Sequence, residues 1–183
     1  SGTYICAAAI TRSQIVLENP PEGELKAFLE VYRKMGGQYK GNSGKLLVNG
    51  KNVQSPVKLL ETGVYPGFPT DLQSPVMAVL STMEGESCIR EMVFEDRYKA
   101  ADQLRKMGAR IRVQGNEAVI CGVKTLHGAA VQAQELRGGA SLILAALGAK
   151  GVTVLEGYSF VQRGYEHICQ DLNALGAAVK RIQ

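Results

Sequence analysis

The stretch DRYKAADQLRKMGARIRVQGNEAVICG (96–122) decides the fold. Tyr98, Ala101, Leu104 and Met107 recur at helical spacing, which makes one face of the first half apolar and leaves the other to lysine and arginine. Gly108 stands where a left-handed residue ends such a helix. Behind it, RIRVQG (110–115) and EAVICG (117–122) read as strands. Upstream, ESCIREM (86–92) reads as another short strand. PVMAVLSTM (75–83) is a helix apolar nearly all round, which requires burial on every side.

The same order of signals recurs on both sides of this stretch. Before it come the apolar segment from Ala7, the strand SQIVLEN (13–19), the helix ELKAFLEVYRKMGG (24–37) and the strand KLLVNG (45–50). After it come ASLILAALGA (140–149), GVTVLEG (151–157) and QRGYEHICQDLNALGA (162–177). The outer amphipathic helices carry Leu25, Phe28, Leu29, Tyr32 and Met35 in one, and Tyr165, Ile168, Leu172 and Leu175 in the other. They close on Gly36 and Gly176. A period of this kind is the signature of a repeated supersecondary unit. The fold expected is one α/β domain over 1–183, with βαβαββ-like units at about 1–50, 57–122 and 129–183. Buried helices lie inside and sheets outside, in pseudo-threefold arrangement. Units two and three open with strands near VKLLETG (57–63) and AAVQAQ (129–134), whereas unit one opens on its buried helix. Unit three ends at AAVKRIQ (177–183) without a closing strand. The pattern is therefore short of two strands, one at each end.

Composition narrows the class. The 183 residues include 21 glycines, which suits many tight turns between short elements. No run approaches the roughly 18 apolar residues of a membrane span, and no basic region leads into an apolar run at the N-terminus, so neither a membrane segment nor a secretory signal is expected. The net charge of +4 is spread along the chain without the dense basic run of a nucleic-acid binder, and it suits small anionic substrates. Cys6, Cys88, Cys121 and Cys169 form no C-x-x-C pair, and neither His127 nor His167 stands at ligand spacing from one of them. Buried free thiols in a cytoplasmic protein are the expectation.

Two kinds of residue are placed for chemistry. In YPGFPTDLQ (65–73), Thr70 and Gln73 have the spacing of a capping box, with Asp71 in the first turn of the buried helix that follows. Asp71 either complements the helix dipole or serves as a carboxylate base at the edge of a cleft. In QELRGGAS (134–141) Arg137 precedes two glycines that would let a ligand approach the backbone. In QRGYEHI (162–168) Arg163 opens the third amphipathic helix, its counterpart being Arg97 in FEDRYKA (94–100). Each arginine alone could be merely solvated; three near helix N-termini would make an anion site.

Taken together, YPGFPTDLQ, REMVFEDRY (90–98), ELRGGASL and QRGYEHI resemble, in this order, the second domain of the UDP-N-acetylglucosamine 1-carboxyvinyltransferase family of enolpyruvyl transferases. The resemblance runs over essentially the whole chain. It implies transfer of the enolpyruvyl group of phosphoenolpyruvate to the 3-hydroxyl of UDP-N-acetylglucosamine, with no metal or organic cofactor, in a site closed between two such inside-out barrel domains. On that reading Asp71 is the base, Val93 touches the sugar nucleotide, and Arg97, Arg137 and Arg163 face phosphoenolpyruvate. Asp71 and Arg163 would be the catalytic pair. Glu135 and Gln162 depart from the Asp that usually precedes the motif arginines. The family's reactive-cysteine loop and lysine, carried by the partner domain, have no counterpart in the 183 residues. In the family the N-terminal segment crosses to supply strands, in keeping with the two-strand shortfall. A 5-enolpyruvylshikimate-3-phosphate synthase domain and a non-catalytic binding module on the same fold are the alternatives.

Overall fold

Three runs of elements follow one another in the computed structural model, which describes residues 1–182; residue 183 of the AAVKRIQ segment lies outside the described residues. The first run is α1 (Gly2–Ile10), β1 (Gln14–Glu18), α2 (Glu22–Lys34), β2 (Gln38–Asn42) and β3 (Lys45–Asn49). The second is β4 (Leu60–Glu61), a single 3-10 turn Thr70–Leu72, α3 (Gln73–Leu80), β5 (Gly85–Arg90), α4 (Lys99–Lys106), β6 (Arg110–Gln114) and β7 (Glu117–Gly122). The third is β8 (Leu126–His127), β9 (Ala130–Gln132), α5 (Leu136–Leu147), β10 (Ala149–Lys150), β11 (Val154–Glu156), α6 (Tyr158–Gln162) and α7 (Ile168–Ala174).

The all-round apolar helices form the centre. α1, α3 and α5 pack on one another, every residue of α3 is buried, and so are Gly138–Ala145 of α5. Val76, Met77, Val79 and Leu80 have no exposed surface, and burial of each such side chain contributes about 1.5–3 kcal/mol. Two buried hydroxyls in this core are satisfied within their own stretch of helix: that of Ser81 donates to the Met77 carbonyl and that of Ser141 to the Gly138 carbonyl. The helices run the same way. Gly2 at the start of α1 lies against Leu72 at the start of α3, and Gly148 at the end of α5 lies against Ile10 at the end of α1.

The amphipathic helices cover this centre with one face each and stop by the same device. Gly36, Gly108 and Gly176 have φ of 96°, 92° and 95°. The next amide donates back to the carbonyl of Tyr32, Leu104 or Leu172, which is the Schellman arrangement. The third helix departs from the reading of 162–177 as one element. It is broken into α6 and α7 by a turn over 163–167, where Gly164 sits so tightly on Leu136 that a Cβ would lie 2.7 Å from its side chain.

The sheets form the outer layer and are unequal. The second run builds a four-stranded sheet ordered β4-β5-β7-β6, in which β4 is parallel to β5 and β7 antiparallel to it. The first run has β1-β3-β2, antiparallel throughout, and among the described residues no strand pairs with the β1 edge where β4 would stand. The third has, among the described residues, β9 alone beside β11, parallel, with a two-residue parallel pair between β8 and β10. Among the described residues, each outer run is one β5-neighbour short of the middle one. The four cysteines are free, but only Cys6 is buried as expected; Cys88 and Cys169 are half-buried and Cys121 is exposed, on strands and a helix that form the outer layer.

Candidate active site

Because the three central helices are parallel, their N-termini gather at one end, and two of the motif residues meet there. Asp71 occupies the 3-10 turn that leads into α3, and Arg137 the first turn of α5. Arg137 Nε lies 2.5 Å from Asp71 Oδ1. The oxygen sits off the N–H axis, so the contact is an ion pair without a well-directed hydrogen bond. Asp71 remains largely open to solvent while Arg137 is two-thirds covered.

Local reasons for this arrangement differ from those the motifs suggested. The Thr70–Gln73 pattern does not make a capping box. The Thr70 hydroxyl donates instead to buried Glu91 (2.9 Å), and Gln73 Oε1 accepts from its neighbour Ser74. At α5 the cap is Glu135, whose carboxylate accepts from the amides of Arg137 (3.1 Å) and Gly138 (2.5 Å). Glu135 therefore acts as the cap of α5. The two following glycines are closely packed on the side where a Cβ would stand. A Cβ on Gly139 would meet Val161 at 2.5 Å, and one on Gly138 would meet Glu135 at 2.6 Å.

The other two arginines stand apart from the ion pair. Arg163 is exposed at the end of α6 and does not open the amphipathic helix, which begins at Ile168. Counting back from the closing glycine, Tyr165 rather than Arg163 occupies the position of Arg97, eleven residues ahead. Arg163 is still on the same end of the molecule, since its neighbour Gly164 packs on Leu136 beside Arg137. Arg97 lies over the Phe94 ring, 4.5 Å from its centroid. With Val93 it lines a depression of about 440 Å³ formed by residues 91–98 with Gly115 and Asn116. Among the described residues, no three His, Cys, Asp or Glu side chains group as metal ligands.

One participant was missed in the sequence. Tyr165 was read only as part of an apolar helix face, yet its hydroxyl is 2.7 Å from Thr3 Oγ1 at the start of α1. Burial raises its pKa, and the Asp71 carboxylate adds to the rise while Arg137 opposes it. Asp71, Arg137, Tyr165 and Thr3 thus draw one residue or more from each of the three repeats.

A family model described as EPSP synthase (3-phosphoshikimate 1-carboxyvinyltransferase) matches residues 1–172. The chain belongs to the enolpyruvyl transferase family. A relative from Desulfofundulus thermocisternus named UDP-N-acetylglucosamine 1-carboxyvinyltransferase is 43% identical over 99% of this chain and 74% of its own length. UDP-N-acetylglucosamine 1-carboxyvinyltransferase 2 of Caldanaerobacter subterraneus subsp. tengcongensis is 40% identical over the whole chain, which spans only 44% of that protein. Among solved enolpyruvyl transferases, NikO from Streptomyces tendae superposes with a TM-score of 0.85 at 26% identity, covering 98% of this chain and 42% of NikO. EPSP synthase from Acinetobacter baumannii shares the fold, with a TM-score of 0.74 at 21% identity. The chain thus spans under half the length of most of these relatives. No helix among the described residues is long and apolar enough to cross a membrane.

Proposed function

We propose that this enolpyruvyl transferase chain forms one half of a cytoplasmic site that moves the enolpyruvyl group of phosphoenolpyruvate onto the 3-hydroxyl of UDP-N-acetylglucosamine. A second domain of the same fold would close over the substrates. The observation that carries the reading is the Asp71–Arg137 pair at the gathered N-termini of α3 and α5. The kinship with the nucleotide-sugar transferases supports that acceptor over a shikimate phosphate.

The net reaction joins the sugar oxygen to the carbon that bears phosphate, breaks that carbon's bond to the phosphate oxygen, and releases phosphate. The hydroxyl proton needs an acceptor, and the departing phosphate needs cations. Asp71 and Arg137 supply one of each, but in this state each holds the other. An arriving phosphate or carboxylate competes for Arg137 and leaves Asp71 free to take the hydroxyl proton. Exposed Arg163 and the Arg97 at the neighbouring depression are the further cations of the anion site. Val93, on the wall of that depression, is the contact for the sugar nucleotide.

Calorimetric titration tests this. UDP-N-acetylglucosamine should bind the 183-residue chain weakly, and phosphoenolpyruvate binding should weaken with salt. Arg137→Ala should reduce phosphoenolpyruvate affinity by about ten-fold or more, as expected for loss of a charge-assisted contact. The chain alone should show no turnover, because closure builds such sites from both halves. With the second domain restored, Asp71→Asn should lower turnover while leaving substrate affinity nearly unchanged. Turnover by the chain alone, or undiminished turnover in Asp71→Asn, would sink the assignment.

A further inference from the structure

Glu91 is a carboxylate only 3% exposed, and among the described residues it enters no ion pair. Burying a charge is costly unless it is fully hydrogen-bonded, and here four donors meet it. Oε1 accepts from the Thr62 hydroxyl (2.7 Å) and from the amides of Val93 (2.9 Å) and Phe94 (3.2 Å). Oε2 accepts from the Thr70 hydroxyl (2.9 Å). The Thr62 hydroxyl also receives the Met92 amide at 2.8 Å, which leaves its own proton for Glu91.

The two ends of this network lie at different parts of the site. Thr70 immediately precedes Asp71 in the 3-10 turn, and Val93 and Phe94 form the wall of the depression that Arg97 also lines. Among the described residues neither stretch belongs to a strand. β4 ends at Glu61 and β5 at Arg90, and backbone bonding goes little further: the Thr62 amide donates to the Arg90 carbonyl, that of Glu91 to Asn116, and that of Gly63 to Phe68 beside an isolated Thr62–Phe68 bridge. Beyond these bonds the buried Glu91 side chain, with Thr62, ties the two stretches.

We propose that Glu91 is a positioning residue that holds the Asp71 turn and the Val93–Arg97 loop at a fixed spacing for the sugar nucleotide. The role rests on the function proposed above. With its carboxylate buried beneath the wall of the depression, Glu91 sets the distance between the group that receives the proton and the wall that holds the sugar nucleotide. Glutamine can do most of this. Its carbonyl keeps the two amides and Thr62, and its NH2 faces a Thr70 hydroxyl free to reverse and accept. Alanine keeps none of it. Thr70→Val cuts only the arm to Asp71.

Amide hydrogen exchange by NMR and titration with UDP-N-acetylglucosamine, both on the 183-residue chain, decide the matter. In Glu91→Ala, exchange should quicken by about ten-fold or more at both 70–72 and 92–97, while residues 76–80 stay as they were. The dissociation constant should rise about ten-fold, the loss of roughly 1.4 kcal/mol. Glu91→Gln should stay within about three-fold of the parent chain in both readouts. Thr70→Val should loosen 70–72 and leave the Val93 and Phe94 amides unchanged. Loosening of one stretch alone in Glu91→Ala, unaltered affinity despite loosening of both, or a glutamine variant no better than alanine would each overturn the proposal. If Glu91→Ala does not fold, unchanged exchange at 70–72 in Thr70→Val overturns it, and loosening confined to 70–72 with rescue by glutamine supports it. A parent chain that fails to bind UDP-N-acetylglucosamine contradicts the proposed function instead, and the exchange pattern alone then decides whether Glu91 couples the two loops.

Discussion

The second and third repeats carry the same pattern and end differently. α4 closes with Met107, which is wholly buried, whereas α7 closes with Leu175, which is 51% exposed. Met35 at the end of α2 matches Met107 rather than Leu175. The helices themselves are not the cause, since all three stop at a left-handed glycine with the same back-directed bond. What differs, among the described residues, is what packs on the last turn. The amides of Gln54 and Ser55 return to the Met35 carbonyl, and that of His127 to the Met107 carbonyl. Among the described residues no amide does this for Leu175. The segment 177–182, whose counterpart 109–114 contains β6, has no strand assignment. A strand exists only with a ladder partner, and β11 lacks the antiparallel neighbour that β7 gives β5. Helix ends are local properties of this sequence; its strands and its outer packing are borrowed from neighbours.

Hydrogen exchange would expose the contrast most strongly. Amides of β5 and β7 should be protected at least about a hundred-fold more than those of 179–182, because the latter have no cooperative ladder to open. Equal protection would erase the distinction. Side-chain truncation should show a smaller but clear asymmetry. Met107→Ala should cost about 3 kcal/mol in urea unfolding, as for other buried large-to-small changes, and Leu175→Ala no more than about 0.5 kcal/mol. Comparable losses would mean that α7 is as well covered as α4. The smallest effect should be equal in the two repeats. Gly108→Ala and Gly176→Ala place a Cβ at φ near +90° in space that admits it, so each should cost about 1 kcal/mol, by the same backbone strain. A difference between them larger than the measurement error would show that these helix stops depend on their surroundings after all.

Much of this was legible in the chain. The repeat, the buried helices and the glycine stops are periodic or punctual signals that need no tertiary knowledge. The sequence places Asp71 and Arg137 each at a helix start; that the central helices run parallel, and so bring the two together, is visible only in the fold. Besides the Tyr165–Thr3 contact, three site details were not readable. Thr70 and Gln73 have capping-box spacing, but a buried acceptor took the hydroxyl. Gly138 and Gly139 looked open to a ligand, but α4, α6 and the Glu135 cap fill the space. Glu91 lay in a quoted motif without distinction, since nothing in one-dimensional spacing says that two hydroxyls and two amides will converge on it. The break at Gly164 was missed for a related reason: the apolar spacing runs through it, and only contact with Leu136 shows why a side chain does not fit.

The parallel trio at the centre also governs how the molecule can assemble. α1 is complete by Ile10, but its partner α5 does not begin until Leu136. The hairpins β2–β3 and β6–β7 can form as soon as they are made, because their partners are neighbours in the chain. α1 and α3 pack on one another, but their full cover needs α5, so loops of more than a hundred residues must close before the core gains all its burial. Such dependence on distant contacts slows folding. During synthesis the first two repeats would leave the ribosome with their most apolar helices exposed, which places the window for chaperone capture or misassembly before α5 emerges.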